Sequence, residues 1–76
     1  MPRKKISRPE AAKFGASVRL LREERGLTQE DLGELAEISA TYVGFIERGD
    51  SVPTLTIILQ IARALNMRPS ELLRDF

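Results

Sequence analysis

The chain has no cysteine, no histidine and no tryptophan among its 76 residues. Without cysteine there is no disulfide framework and no thiolate metal site. Without histidine the commonest metal ligand and the commonest general base are both missing. No apolar run approaches the roughly 20 residues that a membrane-spanning helix needs. The basic N-terminus is not followed by an apolar stretch, so it does not read as a secretory signal, and the expected location is the cytoplasm. There is no glycine-rich phosphate cradle, and no pairing of serine, lysine or carboxylate suggests a reactive centre. The sequence therefore argues against an enzyme, and it implies no metal, no cofactor and no small-molecule ligand.

What is present is an ordinary globular composition, 42% hydrophobic and 30% charged, in a length that supports one core. The net charge of +1 conceals an asymmetry, because residues 1–13 balance to +4 and residues 14–76 to −3. Attraction to a polyanion must then come from local placement rather than bulk charge. Residues 1–8 are polar and basic and read as a flexible arm, and residues 9–76 read as the folded domain.

The folded part reads as helices throughout. Pro9 suits a first helical position, Phe14, Val18 and Leu21 recur at helical spacing, and Gly26 offers a stop, which predicts a helix over about 9–25. Thr28 caps a second helix over about 28–36, with Asp31 three residues on, and Leu32, Leu35 and Ala36 are its expected buried residues. Ser39 caps a third over about 40–48, which buries Val43 and Ile46 and ends at Gly49. Thr54 caps a fourth over about 55–65, with Asn66 able to take the left-handed stop. Pro69 opens a short fifth helix through about Arg74. No strand pattern appears, so the expected fold is all-α with five short helices.

The informative stretch is Thr28 to Gly49. Two short helices joined by a tight turn cross steeply and need small residues where they touch, which Gly33 supplies. Leu32, Ala36, Ile38, Val43 and Ile46 form an internal apolar set, leaving the outer face of the third helix free. That arrangement inserts a helix into the major groove of DNA. The segments Leu21-Arg22, Gly26-Leu27-Thr28-Gln29, Leu32, Ile38-Ser39, Tyr42-Val43, Ile46-Glu47-Arg48-Gly49, Pro53-Thr54-Leu55, Ala62, Ala64-Leu65 and Leu72-Leu73 resemble the Cro/cI, or XRE, family of helix-turn-helix transcriptional regulators. The small size is also similar to that of restriction–modification controller proteins.

The resemblance implies a five-helix bundle of the phage-repressor type that binds a palindromic operator in double-stranded DNA as a homodimer. It implies that Thr28 and Gln29 stand at a phosphate-contacting helix start, with Gln29 also buttressing the third helix. Helix N-termini suit this role because their free N–H groups attract anions. Ser39 matches the cap of the recognition helix, Ala40, Thr41, Gly44 and Phe45 match base-facing positions, and Arg48 matches a backbone contact. Tyr42 matches either a packing residue or a phosphate contact through its hydroxyl. Arg22 and Glu47 match an internal ion pair, structural rather than DNA-contacting, for which the guanidinium fork is suited.

The sequence departs from the family pattern in four places. Gly33 stands where alanine is usual and weakens its helix by roughly 0.5–1 kcal/mol. Glu37 stands where a turn glycine is usual. The base-facing positions carry no Arg, Asn or Gln, the side chains that read purine edges with two bonds. Asp50 stands where relatives often place a cation. Help from DNA shape and phosphate contacts is therefore expected. The arm, through Arg3, Lys4 and Lys5, either enters a minor groove or tracks phosphates, or serves as a solubilising tail.

The fourth helix is more apolar than one core requires. A two-fold interface is expected from Ile57, Ala64 and Met67, joined by Leu72, Leu73 and Phe76 of the fifth helix region. The plainer alternative is that the fifth helix only closes the monomer core. For function, the alternative to a DNA-binding regulator is a protein–protein or antitoxin-like module on the same fold, which the acidic body favours. Whether a regulator of this kind represses or activates is left open.

Overall fold

The computed structural model describes residues 8–76. It contains five helices: α1 (Arg8–Glu24), α2 (Gln29–Ala36), α3 (Ala40–Glu47), α4 (Leu55–Ala64) and α5 (Pro69–Leu72). No strand occurs among the described residues. The fold is all-α, as the sequence predicts, and helix limits agree to within about two residues, the margin within which helix ends are defined. The expected basic arm, with Arg3, Lys4 and Lys5, lies outside the described residues, apart from Arg8, which opens α1.

The helix starts are built by short side chains. Thr28 Oγ1 accepts from the Asp31 N–H at 2.9 Å, and the Asp31 carboxylate accepts from the Thr28 N–H at 2.9 Å, a reciprocal box that satisfies two orphan donors. Ser39 Oγ accepts from the Tyr42 N–H at 3.0 Å, and Thr54 Oγ1 accepts from the Ile57 N–H at 3.2 Å. At α5 the Glu71 carboxylate accepts from the Arg68 N–H at 2.9 Å. The Asp31 carboxyl is held below the usual carboxylate range, first by the backbone N–H of Thr28 and then by its hydroxyl.

The helix ends share one device. Gly26, Glu37, Gly49 and Asn66 have φ of 69°, 63°, 77° and 59°. The residue after each donates its N–H back to a carbonyl five residues earlier: Leu27 to Arg22, Ile38 to Gly33, Asp50 to Phe45 and Met67 to Ala62, at 2.9–3.1 Å. Glycine takes this left-handed conformation freely. Glu37 takes it at a cost of about 1–2 kcal/mol. Three side chains then bond carbonyls at or just past the helix ends: Arg22 Nη1 to Leu27 O at 2.7 Å, Gln60 Nε2 to Ala36 O at 2.7 Å, and Arg25 Nε to Leu65 O at 2.9 Å.

One core holds the helices together. Phe14 and Val18 of α1, Leu32 and Ala36 of α2, Val43 and Ile46 of α3, Ile61 and Ala62 of α4, with Leu65 and Leu72, form a single buried cluster. Leu35, expected inside, is 57% exposed. It follows Glu34 on the outer side of α2, and the helix buries only the Leu32, Gly33 and Ala36 edge. Two glycines set how closely the helices approach. A Cβ at Gly33 would lie 2.6 Å from the Ile38 carbonyl oxygen, and one at Gly15 would lie 2.7 Å from the Glu47 carbonyl oxygen. Gly33 therefore does more than weaken α2: it lets the start of α3 sit against α2 at a distance that alanine excludes.

Candidate nucleic-acid interface

The orientation of α3 is fixed at both ends. Its N-terminus is pinned by the Ser39 cap and by the close approach at Gly33. Its C-terminus is pinned by Glu47, whose side chain is only 3% exposed. Arg22 Nε donates to Glu47 Oε2 at 2.6 Å, and Arg22 Nη2 donates to Glu47 Oε1 at 3.1 Å. The fork thus binds the carboxylate with two parallel bonds, while Nη1 takes the Leu27 carbonyl. The hydrogen bond to Glu47 outweighs burial and raises the Arg22 pKa further above its already high ordinary value. Gln29 Nε2 adds a third bond to Glu47 Oε1 at 3.1 Å. The side chain that opens α2 is thereby braced on the last residue of α3.

With α3 held in this way, its outer side carries Thr41 and Phe45, both exposed, and Phe45 retains 42% of its surface. Ala40 is half-buried. Thr28, Gln29, Glu30, Ala40 and Thr41, over Arg22, line one open polar depression where the starts of α2 and α3 meet. Tyr42 is half-buried against the core, with its hydroxyl 3.5 Å from Ser51 Oγ. Gly44, placed with the base-facing set by sequence, is buried. A Cβ there would lie 3.1 Å from Arg48 Nη1 and 3.7 Å from Gln29 Nε2, so these two side chains cover it. Arg48 donates through Nε to Asp50 Oδ2 at 3.0 Å, and its guanidinium carbon stands 5.2 Å from the centre of the Phe45 ring.

The residues expected at a two-fold interface are divided by the structure. Leu72 is 4% exposed within the single chain, because α5 closes the core with it, and it is unavailable to a second copy. Ile57, Ala64, Met67 and Leu73 are half-buried against that core. Phe76 is 52% exposed, meets Phe14 edge-on at 6.3 Å and lies under the Lys13 ammonium at 4.9 Å. The exposed large apolar residues of α4 are Leu55, at 68%, and, less so, Leu59, at 38%. Their i, i+4 spacing, on the edge of α4 beside the buried Ala62, was the available signal, but a helix apolar on nearly every side gives no means to rank its faces. Among the described residues no cluster of His, Cys, Asp or Glu is placed to hold a metal ion, and no helix is long and apolar enough to cross a membrane.

Comparison with known proteins supports the same region. A helix-turn-helix family model, HTH_3, matches residues 18–72. The uncharacterized HTH-type transcriptional regulator YazB of Bacillus subtilis is 38% identical over 63 residues, 83% of this chain and 91% of that protein. The restriction-modification controller protein C.AhdI from Aeromonas hydrophila superposes with a TM-score of 0.83 at 42% identity, over 86% of this chain and 98% of that one. The P22 c2 repressor, in complex with a synthetic operator, superposes with a TM-score of 0.74 at 25% identity, over 83% and 96%. The capped, tightly approached pair α2–α3, with an anchored inner end and an uncovered outer side, is common ground for fold and sequence, and the chain belongs to the XRE-type helix-turn-helix family of DNA-binding transcriptional regulators.

Proposed function

We propose that the protein binds a palindromic operator in double-stranded DNA as a homodimer, with α3 in the major groove and the start of α2 on a phosphate. The observation that carries this reading is the uncovered outer side of α3, where Thr41 and Phe45 stand exposed while both helix ends are immobilised from behind. A recognition helix needs that rigidity, because a reader displaced by about half an ångström loses its hydrogen-bond geometry. Gln29 is exposed at the first position of α2, where free N–H groups and the helix dipole favour an anion. Thr41 offers a hydroxyl, and Phe45 and Ala40 offer apolar contact to thymine methyls. The P22 c2 repressor, which shares this fold, is known in complex with operator DNA.

The second copy packs on α4. Leu55, Leu59 and Met67 supply exposed or half-exposed apolar surface. Ile57, Ala64 and Leu73 contribute what the core leaves uncovered. A two-fold axis there repeats α3 about one DNA turn away, roughly 34 Å, which is the spacing of a palindrome. Selection of bound duplexes from a random pool at about 0.15 M salt tests this reading. An enriched inverted repeat with half-sites one turn apart is the expected result. Retention without a motif rejects the operator and leaves a nonspecific DNA binder, whereas no retention at high or low salt moves the outer face of α3 to a protein partner. Sedimentation at tens of micromolar tests the dimer separately, and Leu55→Glu with Leu59→Glu is expected to leave a folded monomer.

A further inference from the structure

The base-facing positions of α3 present a gap. Ala40, Thr41, Gly44 and Phe45 include no side chain able to make the paired hydrogen bonds that distinguish one purine from another. The structure fills the gap from the next turn. The Arg48 side chain folds back along α3, so that Nη1 comes to lie over Gly44, 3.1 Å from where a Cβ would be. The glycine is what makes room for it. The guanidinium stands 5.2 Å from the Phe45 ring centre, beside an aromatic face that attracts a cation. Asp50 Oδ2 accepts a hydrogen bond from Nε at 3.0 Å. That bond uses one of the five donors and leaves four on the two terminal nitrogens.

We infer that Arg48 reads a guanine edge in the major groove through its two terminal nitrogens, with Asp50 as the positioning residue that aims it. The inference rests on the reading of α3 as the recognition helix. Two features favour a base over a phosphate. Guanine presents O6 and N7 side by side, a spacing that two guanidinium donors match. The Arg48–Asp50 pair is electrically neutral, and a phosphate drawn to the arginine would stand close to the Asp50 carboxylate, whereas the uncharged guanine edge meets no such repulsion. Phe45 and Arg48 then form one reading unit, the ring against a thymine methyl and the fork against the neighbouring guanine.

The test compares wild type, Arg48→Ala and Asp50→Asn as full chains on the operator obtained by selection. The wild-type site is expected to fix a guanine in each half-site. Arg48→Ala is expected to lose the preference at that base pair alone and to bind the parent operator about tenfold more weakly. Replacing that guanine by 7-deazaguanine, which lacks the N7 acceptor, is expected to weaken wild type and leave Arg48→Ala unaffected. This substitution is on the DNA and does not depend on how a variant folds. Asp50→Asn is expected to lose part of the guanine preference while binding random-sequence DNA at least as tightly, since a negative charge is removed. The inference is overturned if Arg48→Ala weakens all sequences equally and lowers the salt slope by about one, the mark of a phosphate contact. It is also overturned if Arg48→Ala selects the same guanine as wild type. A wild-type protein that selects no motif overturns both this inference and the operator reading beneath it.

Discussion

Residues 47 and 48 are neighbours in the chain, and each belongs to an arginine–carboxylate pair. Arg22 and Glu47 meet at 2.6 Å with side-chain exposures of 11% and 3%, and Arg48 and Asp50 meet at 3.0 Å with exposures of 57% and 55%. The chemistry is the same, and surroundings separate the two. The inner pair is stripped of water, bonded twice to itself and further tied by Gln29 and Leu27, so removing one partner strands a charge. The outer pair keeps its water, and solvent replaces either partner at little cost. One helix end thus holds a buried pair that anchors α3 and, beside it, a solvent-exposed pair.

The largest break in this comparison is Glu47→Ala, expected to destabilise by about 3–5 kcal/mol. The matching Asp50→Ala is expected to stay within about 0.5 kcal/mol of wild type. Urea unfolding of both variants decides it, and equal losses would erase the distinction between the pairs. Next in size is Gly33→Ala, expected to cost about 1–3 kcal/mol through overpacking against the Ile38 carbonyl, in spite of the better helix propensity of alanine. Gly44→Ala is the contrasting case, because its Cβ meets only the ends of flexible side chains. It is expected to keep the stability and displace Arg48, which a thermal melt beside operator binding would detect.

Smaller still is Glu37→Gly, expected to stabilise by about 1 kcal/mol by relieving the left-handed strain at the turn between α2 and α3. A rise in the urea midpoint with unchanged slope is the sign to look for. The smallest effect separates a third carboxylate, Asp31, exposed like Asp50 but bonded to backbone. Its folded pKa is depressed, so its contribution is present above the unfolded carboxylate pKa and disappears as pH falls through the folded value. Asp31→Ala is expected to remove that component of the acid sensitivity. An unchanged pH–stability curve between wild type and variant would contradict it.

Caps, stops and the regular core positions were legible because each is a short-range matter. Thr28, Ser39 and Thr54 bond to N–H groups three residues on, and Gly26, Glu37, Gly49 and Asn66 close bonds within a single turn. The exposure of Leu35 was not legible, since it depends on which edge of α2 the rest of the bundle covers. Gly15 drew no notice in sequence, yet it sets the approach of α1 to the end of α3. Gly44 was assigned to the base-facing surface by its position, and the structure places Arg48 over it. The carbonyl ties from Gln60 to Ala36 and from Arg25 to Leu65 join residues 24 and 40 positions apart and have no local signature.

By itself the sequence determined five helices, their limits, most of the core and the paired α2–α3 unit, because helix capping and apolar periodicity act over a few residues. The tertiary structure decided which side of α4 faces outward, how closely α1 and α2 approach α3, and where the head of Arg48 lies. Those outcomes depend on side-chain volumes and hydrogen bonds between residues distant in the chain, and only the packed arrangement brings them together.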